Sequence, residues 1–555
     1  MSARALWPLR RDEARAVLGS AALFTLAFPP FPFVVPALVC LVPIAVLVAR
    51  AADAGGVRAA ARLGFWFGFA SYAASISWMA IALLHFTKLA LLGYLATILA
   101  AGMLVALAAT VLYAVRRVTC WPLAVLLPIV WVAFEVMMAN LPEVAFPWLP
   151  LGLATASQPV LAQLADVSGV RGVSFVLAAV NGLFADAWLL RRSLRGVAWR
   201  AALAGSLLVG MLGYGAWRIA SIASRELMSV AIVQPSVPQE QKWVRANRAR
   251  ILDGLASLTR EVPSHGDADL VVWPEAALTD WIQLHPEWLD TVAVLVNETH
   301  TPLLFGALWR EPRERPNGAG VSSSVATGPS HRAEEYALYN AALITDSNGR
   351  VVQPPYRKRN LVPIIERTPF VDPRRLAGLP YFGGYSRGSL AMFDHPLGTI
   401  GTLICYESIF GRRARELRRE GADLLVNITN DAWFGRSLAP WQHEAHLVLR
   451  AIETRVGIVR AANTGFSAYV DPLGRVSGRT RLFEPAVRVG TVETTSLPSP
   501  YVRYGDWLGT LSAGAALAGL AVFGVARARQ TVGASRQTPG LRRTSNPASS
   551  ARRST

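Results

Sequence analysis

Charge and cysteine are both scarce in this 555-residue chain. Only 17% of its residues are Asp, Glu, Lys or Arg, against 52% hydrophobic. Soluble proteins carry about 25% charged residues, so a large part of the chain belongs in lipid. Three cysteines, Cys40, Cys120 and Cys405, exclude a disulfide framework. The first two lie in or beside apolar runs and read as small buried hydrophobes. No Gly-rich loop ending in Lys-Ser/Thr is present to cradle a nucleotide phosphate, and no internal repeat stands out. Net charge is +18, but no nucleic-acid reading module accompanies it, so no nucleic-acid partner is expected. His443 and His446 stand three apart on an expected helix without a third ligand set. They read as packing or capping histidines, and neither metal nor cofactor is expected.

What the chain does have is apolar length. Eight stretches are long enough to cross a bilayer, which takes about 20 residues: 14–29, 33–50, 61–84, 89–115, 122–140, 171–190, 199–219 and 506–526. The first reads as a retained helix rather than a signal peptide, because further spans follow and no small-residue cleavage site appears. Short loops on one side collect Arg10, Arg11, Arg15, Arg50, Arg58, Arg62, Arg116, Arg117, Arg191, Arg192 and Arg195. The opposite loops hold only Lys88 and Arg171. The positive-inside rule then puts both termini in the cytoplasm and the polar block after the seventh span across the membrane. Glu135 and Asp186 fall inside spans, where charge is costly; each reads as a polar contact between helices. The expected division is a seven-helix membrane domain at 1–226, a polar domain at 227–497, a closing helix at 498–529 and a disordered basic tail at 530–555.

The polar block alternates short apolar strands with helical stretches, the pattern of a layered α/β domain. Strands are expected at 228–234, 268–273, 303–308, 337–346, 399–405, 423–429, 458–462 and 466–470, and helices at 412–421 and 442–455. Ser347-Asn348-Gly349 and Pro472-Leu473-Gly474 read as hairpin turns, since Asn and Gly accept positive φ. Three strand ends carry chemistry: Glu275 after Trp273-Pro274, Lys358 in Tyr356-Arg357-Lys358, and Cys405 at the end of an apolar run. Residues just past strand C-termini share a crevice in such folds. A carboxylate, an ammonium and an unpaired thiol there are the parts for covalent acyl transfer. Taken singly, each also reads as a turn residue, a surface charge or a core thiol.

The surrounding residues decide between these readings. Trp-Pro-Glu275, Lys358-x-x-Leu-Val-Pro363-x-x-Glu366, Cys405-Tyr406-Glu407 and Asn427-Ile-Thr-Asn-Asp-Ala-Trp-Phe-Gly435 resemble the Glu-Lys-Cys motifs of the nitrilase superfamily. With the flanking spans, the chain resembles its integral-membrane branch, the apolipoprotein N-acyltransferase family. Phe146-Pro147-Trp148, Lys242-Trp243, Arg450-Ala-Ile-Glu453 and Ala461-Ala-Asn-Thr-Gly465 add to the match. The chain departs from the family pattern at Asn360, Ile364, Ile365 and Arg367. The resemblance implies an αββα sandwich domain on eight transmembrane helices in a bacterial inner membrane, with the sandwich on the periplasmic side. It implies transfer of a phospholipid sn-1 acyl chain to the N-terminal amine of a diacylglyceryl-modified apolipoprotein.

On that reading Cys405 is the nucleophile and Glu275 the general base, and the Lys358 ammonium favours the thiolate and later the oxyanion. The Tyr406 N–H is a second oxyanion donor, since the amide after a nucleophile commonly serves so. Glu366 and Glu407 orient Lys358 and the turn at Cys405, while Trp243 and Trp148 line the pocket. Apolar loops at 146–148, 281–288 and 379–385, the last hinged at Gly383 and Gly384, are expected to exclude water. Two rivals stand beside this reading: a membrane-tethered amidase or nitrilase that uses the same residues but passes its acyl group to water, and a catalytically silent lipid- or lipoprotein-binding module, which has no reason to keep all three of Glu275, Lys358 and Cys405.

Overall fold

The computed structural model describes residues 9–84, 88, 91–312, 336–370, 384–496 and 498–536. Apolar segments without a polar face fold into helices that meet protein or lipid all round. In order these are α1 (Arg11–Leu26), α2 (Val35–Val39), α3 (Val42–Asp53), α4 (Val57–Ser75), α5 (Trp78–Leu84), α6 (Leu91–Thr119), α7 (Leu123–Asn140), α8 (Val170–Leu189) and α9 (Leu194–Ser221). The second expected span is interrupted between α2 and α3, and the third bends by 60° between α4 and α5. Among the described residues, six helical stretches are long and apolar enough to cross a membrane, or seven if the bent pair is one span. Helix α1 has 16 residues, fewer than the about 20 a crossing takes, so the eight spans of the sequence reading are six or seven by this measure.

Small residues set the packing of this bundle, as is usual where lipid supplies no hydrophobic drive between helices. A Cβ on Gly64 of α4 would lie 2.6 Å from the Ala109 Cβ of α6, so those two backbones approach as closely as glycine allows. Asp186 caps α7, accepting from the Leu123 and Ala124 amides at 3.0 Å each. Glu135 accepts from Trp131 Nε1 at 3.0 Å and the Leu151 amide at 2.7 Å. Both carboxylates make the polar contacts expected of them. Cys40 is buried as expected, but Cys120, expected to be buried too, is exposed: it sits just after α6 at φ +55°, where the chain leaves the helix.

Among its described residues the polar block contributes thirteen strands: β1 (Arg225–Gln234), β2 (Leu270–Val272), β3 (Leu278–Trp281), β4 (Leu303–Pro312), β5 (Tyr336–Ile344), β6 (Tyr356–Arg357), β7 (Met392–His395), β8 (Gly398–Ile404), β9 (Leu424–Thr429), β10 (Ile458–Ala462), β11 (Ala468–Val470), β12 (Val476–Ser477) and β13 (Ala486–Thr494). One sheet runs β13-β1-β2-β4-β5-β6 with β3 beside β4, and the other runs β12-β11-β10-β9-β8-β7. The centres are parallel, β1-β2-β4 and β8-β9-β10, and the edges antiparallel. Parallel strands covered on both faces are nearly continuous apolar runs, as Leu424–Thr429 is, with every residue buried.

The sheets meet through Val230, Ile232, Val272 and Leu304 on one side and Ile404, Val426, Ile428 and Val459 on the other. Helices α10 (Arg248–Arg260) and α11 (Pro286–Thr299) cover the outer face of the first sheet, through Leu255, Val292 and Leu295. Helices α12 (Gly411–Arg419) and α13 (Ala439–Thr454) cover the second, giving an αββα sandwich. Their core is continuous with that of the membrane helices. Gly349 (φ +77°) and Gly474 (φ +85°) occupy the two expected turns. The closing helix α14 (Trp507–Arg536) runs past the expected end at 526 and past the expected start of the tail at 530; the rest of that tail lies outside the described residues.

Candidate active site

Each of the three strand ends is built locally. Pro274 ends β2, and the chain turns so that Glu275 faces inward. Gly306 of β4 lies directly beneath, where a Cβ would stand 2.6 Å from the Ala276 amide nitrogen and 2.7 Å from the Glu275 Cα. Lys358 follows β6, and its amide donates to the Asn340 carbonyl at 2.9 Å. Cys405 follows β8 and opens a single 3-10 turn, Cys405–Ile409, at φ +50°. Left-handed backbone at a residue other than glycine costs about 1–3 kcal/mol and persists only where the surroundings enforce it.

The three groups meet on one cavity of about 810 Å³, together with Glu366, Tyr406, Trp243 and Trp148. Lys358 is buried and lies between two carboxylates, with Nζ 3.1 Å from Glu275 Oε1 and 2.9 Å from Glu366 Oε1. Asn340 Nδ2 donates to the same two oxygens at 2.7 and 3.0 Å. The Asn430 amide holds Glu275 Oε2 at 2.9 Å, and the Val362 amide holds Glu366 Oε2 at 2.8 Å. Glu407 ties the turn to the lysine segment. It accepts from the Ile404 amide and Tyr356 hydroxyl at 2.8 Å each, and from the Arg359 and Asn360 amides at 2.7 and 3.1 Å.

Electrostatics follow from burial. Burial works against the Lys358 ammonium, but Glu275 and Glu366 together outweigh it and hold its pKa well above the usual lysine range. Burial pushes the Cys405 thiol up, Glu275 adds to this, and the opposing pull of Lys358 does not compensate. Lys358 thus favours the thiolate, as expected, but burial and Glu275 outweigh it, which leaves removal of the thiol proton to a base. Burial raises Glu407 as well, against the four donors it accepts from and Lys358.

Of the expected water-excluding loops, Phe146 and Trp148 line the cavity, their rings stacked at 5.6 Å. Trp148 Nε1 donates to Gln442 at 2.8 Å. Trp243 lines the mouth, and Tyr406 donates its hydroxyl to the Ala145 carbonyl at 2.5 Å. The 281–288 segment does not line the cavity; Trp288 packs into the outer helical layer and stacks on His285. Residues 379–383 lie outside the described residues, while Tyr385 lines the cavity and its amide bonds the Glu366 carbonyl at 3.3 Å. Ile364, one of the departures from the family pattern, adopts φ +72°, a strained conformation for a β-branched residue.

Sequence reasoning missed Asn340 and the segment Thr429-Asn430-Asp431. Thr429 lies beside the Cys405 sulfur, Asn430 holds Glu275, and Asp431 lies 3.0 Å from His443 Nδ1 and 2.5 Å from Arg460. The motif 427–435 was visible, but these contacts are made at and just past the end of β9, one of them through the Asn430 backbone amide, and depend on residues far off in the chain. His446 Nε2 bonds the Trp148 carbonyl at 3.0 Å, so both histidines are engaged with protein groups.

Residues 229–497, which include the αββα sandwich and hold Glu275, Lys358 and Cys405 on one cavity, match the Carbon-nitrogen hydrolase profile. The profile of the Apolipoprotein N-acyltransferase N-terminal domain matches residues 20–183. The Geobacter metallireducens apolipoprotein N-acyltransferase is 34% identical over 92% of this chain and 94% of its own. The Brucella melitensis apolipoprotein N-acyltransferase is 32% identical over 88% and 90%. The chain belongs to the apolipoprotein N-acyltransferase family. A Nesterenkonia amidase of the nitrilase superfamily also aligns, at TM-score 0.35 and 16% identity over 51% of this chain and 96% of its own.

Proposed function

We propose that the protein moves the sn-1 acyl chain of a membrane phospholipid to the α-amine of the N-terminal diacylglyceryl-cysteine of an apolipoprotein, through a thioester on Cys405. One observation carries this reading. The cavity that holds Glu275, Lys358 and Cys405 continues along Gly93, Ala96, Ala100, Ala101 and Leu104 of α6, so an apolar chain lying between membrane helices reaches the sulfur.

Glu275 takes the Cys405 proton as the sulfur attacks the ester carbonyl. The S–C bond forms, the oxyanion meets Lys358 and the Tyr406 N–H, and the C–O bond breaks as Glu275 returns the proton to the leaving glycerol oxygen. In the second half the amine attacks the thioester. The N–C bond forms, the C–S bond breaks, and the amine proton passes through Glu275 back to sulfur. An α-amine titrates at about 7.7–8.0 against about 10.4 for lysine, so an appreciable fraction is neutral and nucleophilic at pH 7. Apolar walls around the sulfur keep water from the thioester.

The same reading places the protein in the bacterial inner membrane with both termini cytoplasmic and the sandwich periplasmic. The division into 1–226, 227–497, 498–529 and 530–555 belongs to that proposal. Intact mass spectrometry tests it. Incubation with phospholipid is expected to add one acyl mass at Cys405, and a diacylglyceryl-cysteine peptide is expected to remove it as the N-acylated peptide. Release of free fatty acid without peptide acylation supports the amidase rival, and no adduct at all supports the silent module.

A further inference from the structure

We infer that His443 is a positioning residue for acyl transfer: its bond to the Cys405 carbonyl fixes the peptide plane whose other edge, the Tyr406 N–H, faces the reacting oxygen. The inference rests on the thioester reading of Cys405.

A trans peptide is planar, with its C=O and following N–H pointing in opposite directions. Whatever grips the Cys405 carbonyl therefore aims the Tyr406 amide. Two groups grip it: His443 Nε2 at 3.1 Å and Ser408 Oγ at 2.9 Å, themselves 2.9 Å apart. A carbonyl only accepts, so Nε2 carries the proton and shares it between the two oxygens. Tyr406 is the second residue of its 3-10 turn, and the first amides of such a turn have no partner within it. That leaves its N–H available to a ligand.

The imidazole itself is held on every side. With the proton on Nε2, Nδ1 accepts from Arg460 Nη2 at 3.2 Å beside Asp431 Oδ1 at 3.0 Å, and Asp431 is bound by Arg460 at 2.5 Å and Thr429 Oγ1 at 2.9 Å. Arg460 is anchored in turn by Asn427 Oδ1 at 2.7 Å and the Phe466 carbonyl at 2.9 Å. The Trp148 and Phe434 rings close the remaining faces at 5.6 and 6.0 Å. All four side chains of the relay, His443, Asp431, Arg460 and Asn427, are buried. This is the over-determination that a non-glycine residue at φ +50° requires, and it ends at the one carbonyl whose orientation sets the oxyanion donor. Hydrogen bonding to that carbonyl also polarises the amide and strengthens its N–H as a donor.

Two reactions at the same sulfur separate aiming from mere support. Thioester formation passes through an oxyanion. Alkylation by iodoacetamide, in which the S–C bond forms as iodide leaves a saturated carbon, does not. H443L is expected to slow thioester formation by about 100-fold, the scale of a lost oxyanion donor. Iodoacetamide labelling, read on the Cys405 peptide because Cys120 is exposed, is expected to stay within about threefold of wild type. H443Q, which keeps an N–H able to reach the carbonyl, is expected to recover most of the loss, with KM for phospholipid unchanged. Should H443L not fold, H443N, too short to reach, replaces it. Equal loss in both reactions, or undiminished thioester formation, overturns the inference. A wild-type protein that forms no thioester overturns the underlying function as well, which marks that failure apart.

Discussion

Replacing Lys358 by Met leaves Glu275 and Glu366 facing each other across Asn340 with no cation between them. At 3.1 and 2.9 Å, each ammonium–carboxylate contact is worth roughly 5–6 kcal/mol at an effective dielectric of about 20. Burying the three charges offsets most of that, and breaking such a buried pair costs about 3–5 kcal/mol. The pH dependence fixes the sign. Lys358 is held well above the usual lysine range, so its contribution is complete below the unfolded lysine pKa and is lost only as pH rises through the raised value. In K358M, two adjacent carboxylates cannot both stay ionised, and uptake of one proton relieves the variant as pH falls. Thermal unfolding in detergent is therefore expected to show a deficit of about 3–5 kcal/mol at pH 8 that shrinks toward pH 5. Thioester formation is expected to fall by about 10²–10³ at either pH. Unfolding curves that match wild type, or a deficit equal at both pH values, refute the charge arrangement.

Gly306→Ala puts a methyl 2.6 Å from the Ala276 amide nitrogen, too close for any Cβ. It is expected to displace Glu275 and cut acyl transfer by about 10²-fold, the cost of a misplaced catalytic group, as measured by single-turnover acylation. Burial pushes the Lys242 ammonium down to about 8 against the upward pull of Glu275. Between about 8 and the unfolded value near 10.4, the unfolded chain binds more protons, so stability rises with pH. Lys242→Met is expected to abolish that rise and to stabilise the protein at pH 7 by a few kcal/mol, at about 1.36 kcal/mol per unit of pKa, read by detergent-based thermal unfolding at pH 7 and 10.

Much of the fold was legible because its signals are local. Unbroken apolar runs mark helices whatever packs against them, and Leu424–Thr429 or Ile458–Ala462 are strands by the same token. The edge strands Met392–His395, Val476–Ser477 and Ala486–Thr494 were missed, being held by pairing with a neighbour rather than by a distinctive composition. Helix α1 and the bend after Ser75 depend on packing, which hydropathy does not register. Glu275, Lys358 and Cys405 were legible through the residues around each of them. Asn340 was not, because an asparagine mid-strand has no local mark of its contact with Glu275.

The sequence by itself determined that much of the chain lies in lipid, that a layered α/β block sits among its spans, and which carboxylate, ammonium and thiol stand at strand ends. These are properties of neighbours along the chain. Only the tertiary structure decided that Glu275 and Glu366 share Lys358, that burial holds the Cys405 thiol up, and that His443, backed by Asp431, reaches the carbonyl of the nucleophile. Those depend on distance and on how much water remains around a charge, and both are set by what packs together from far apart in the chain.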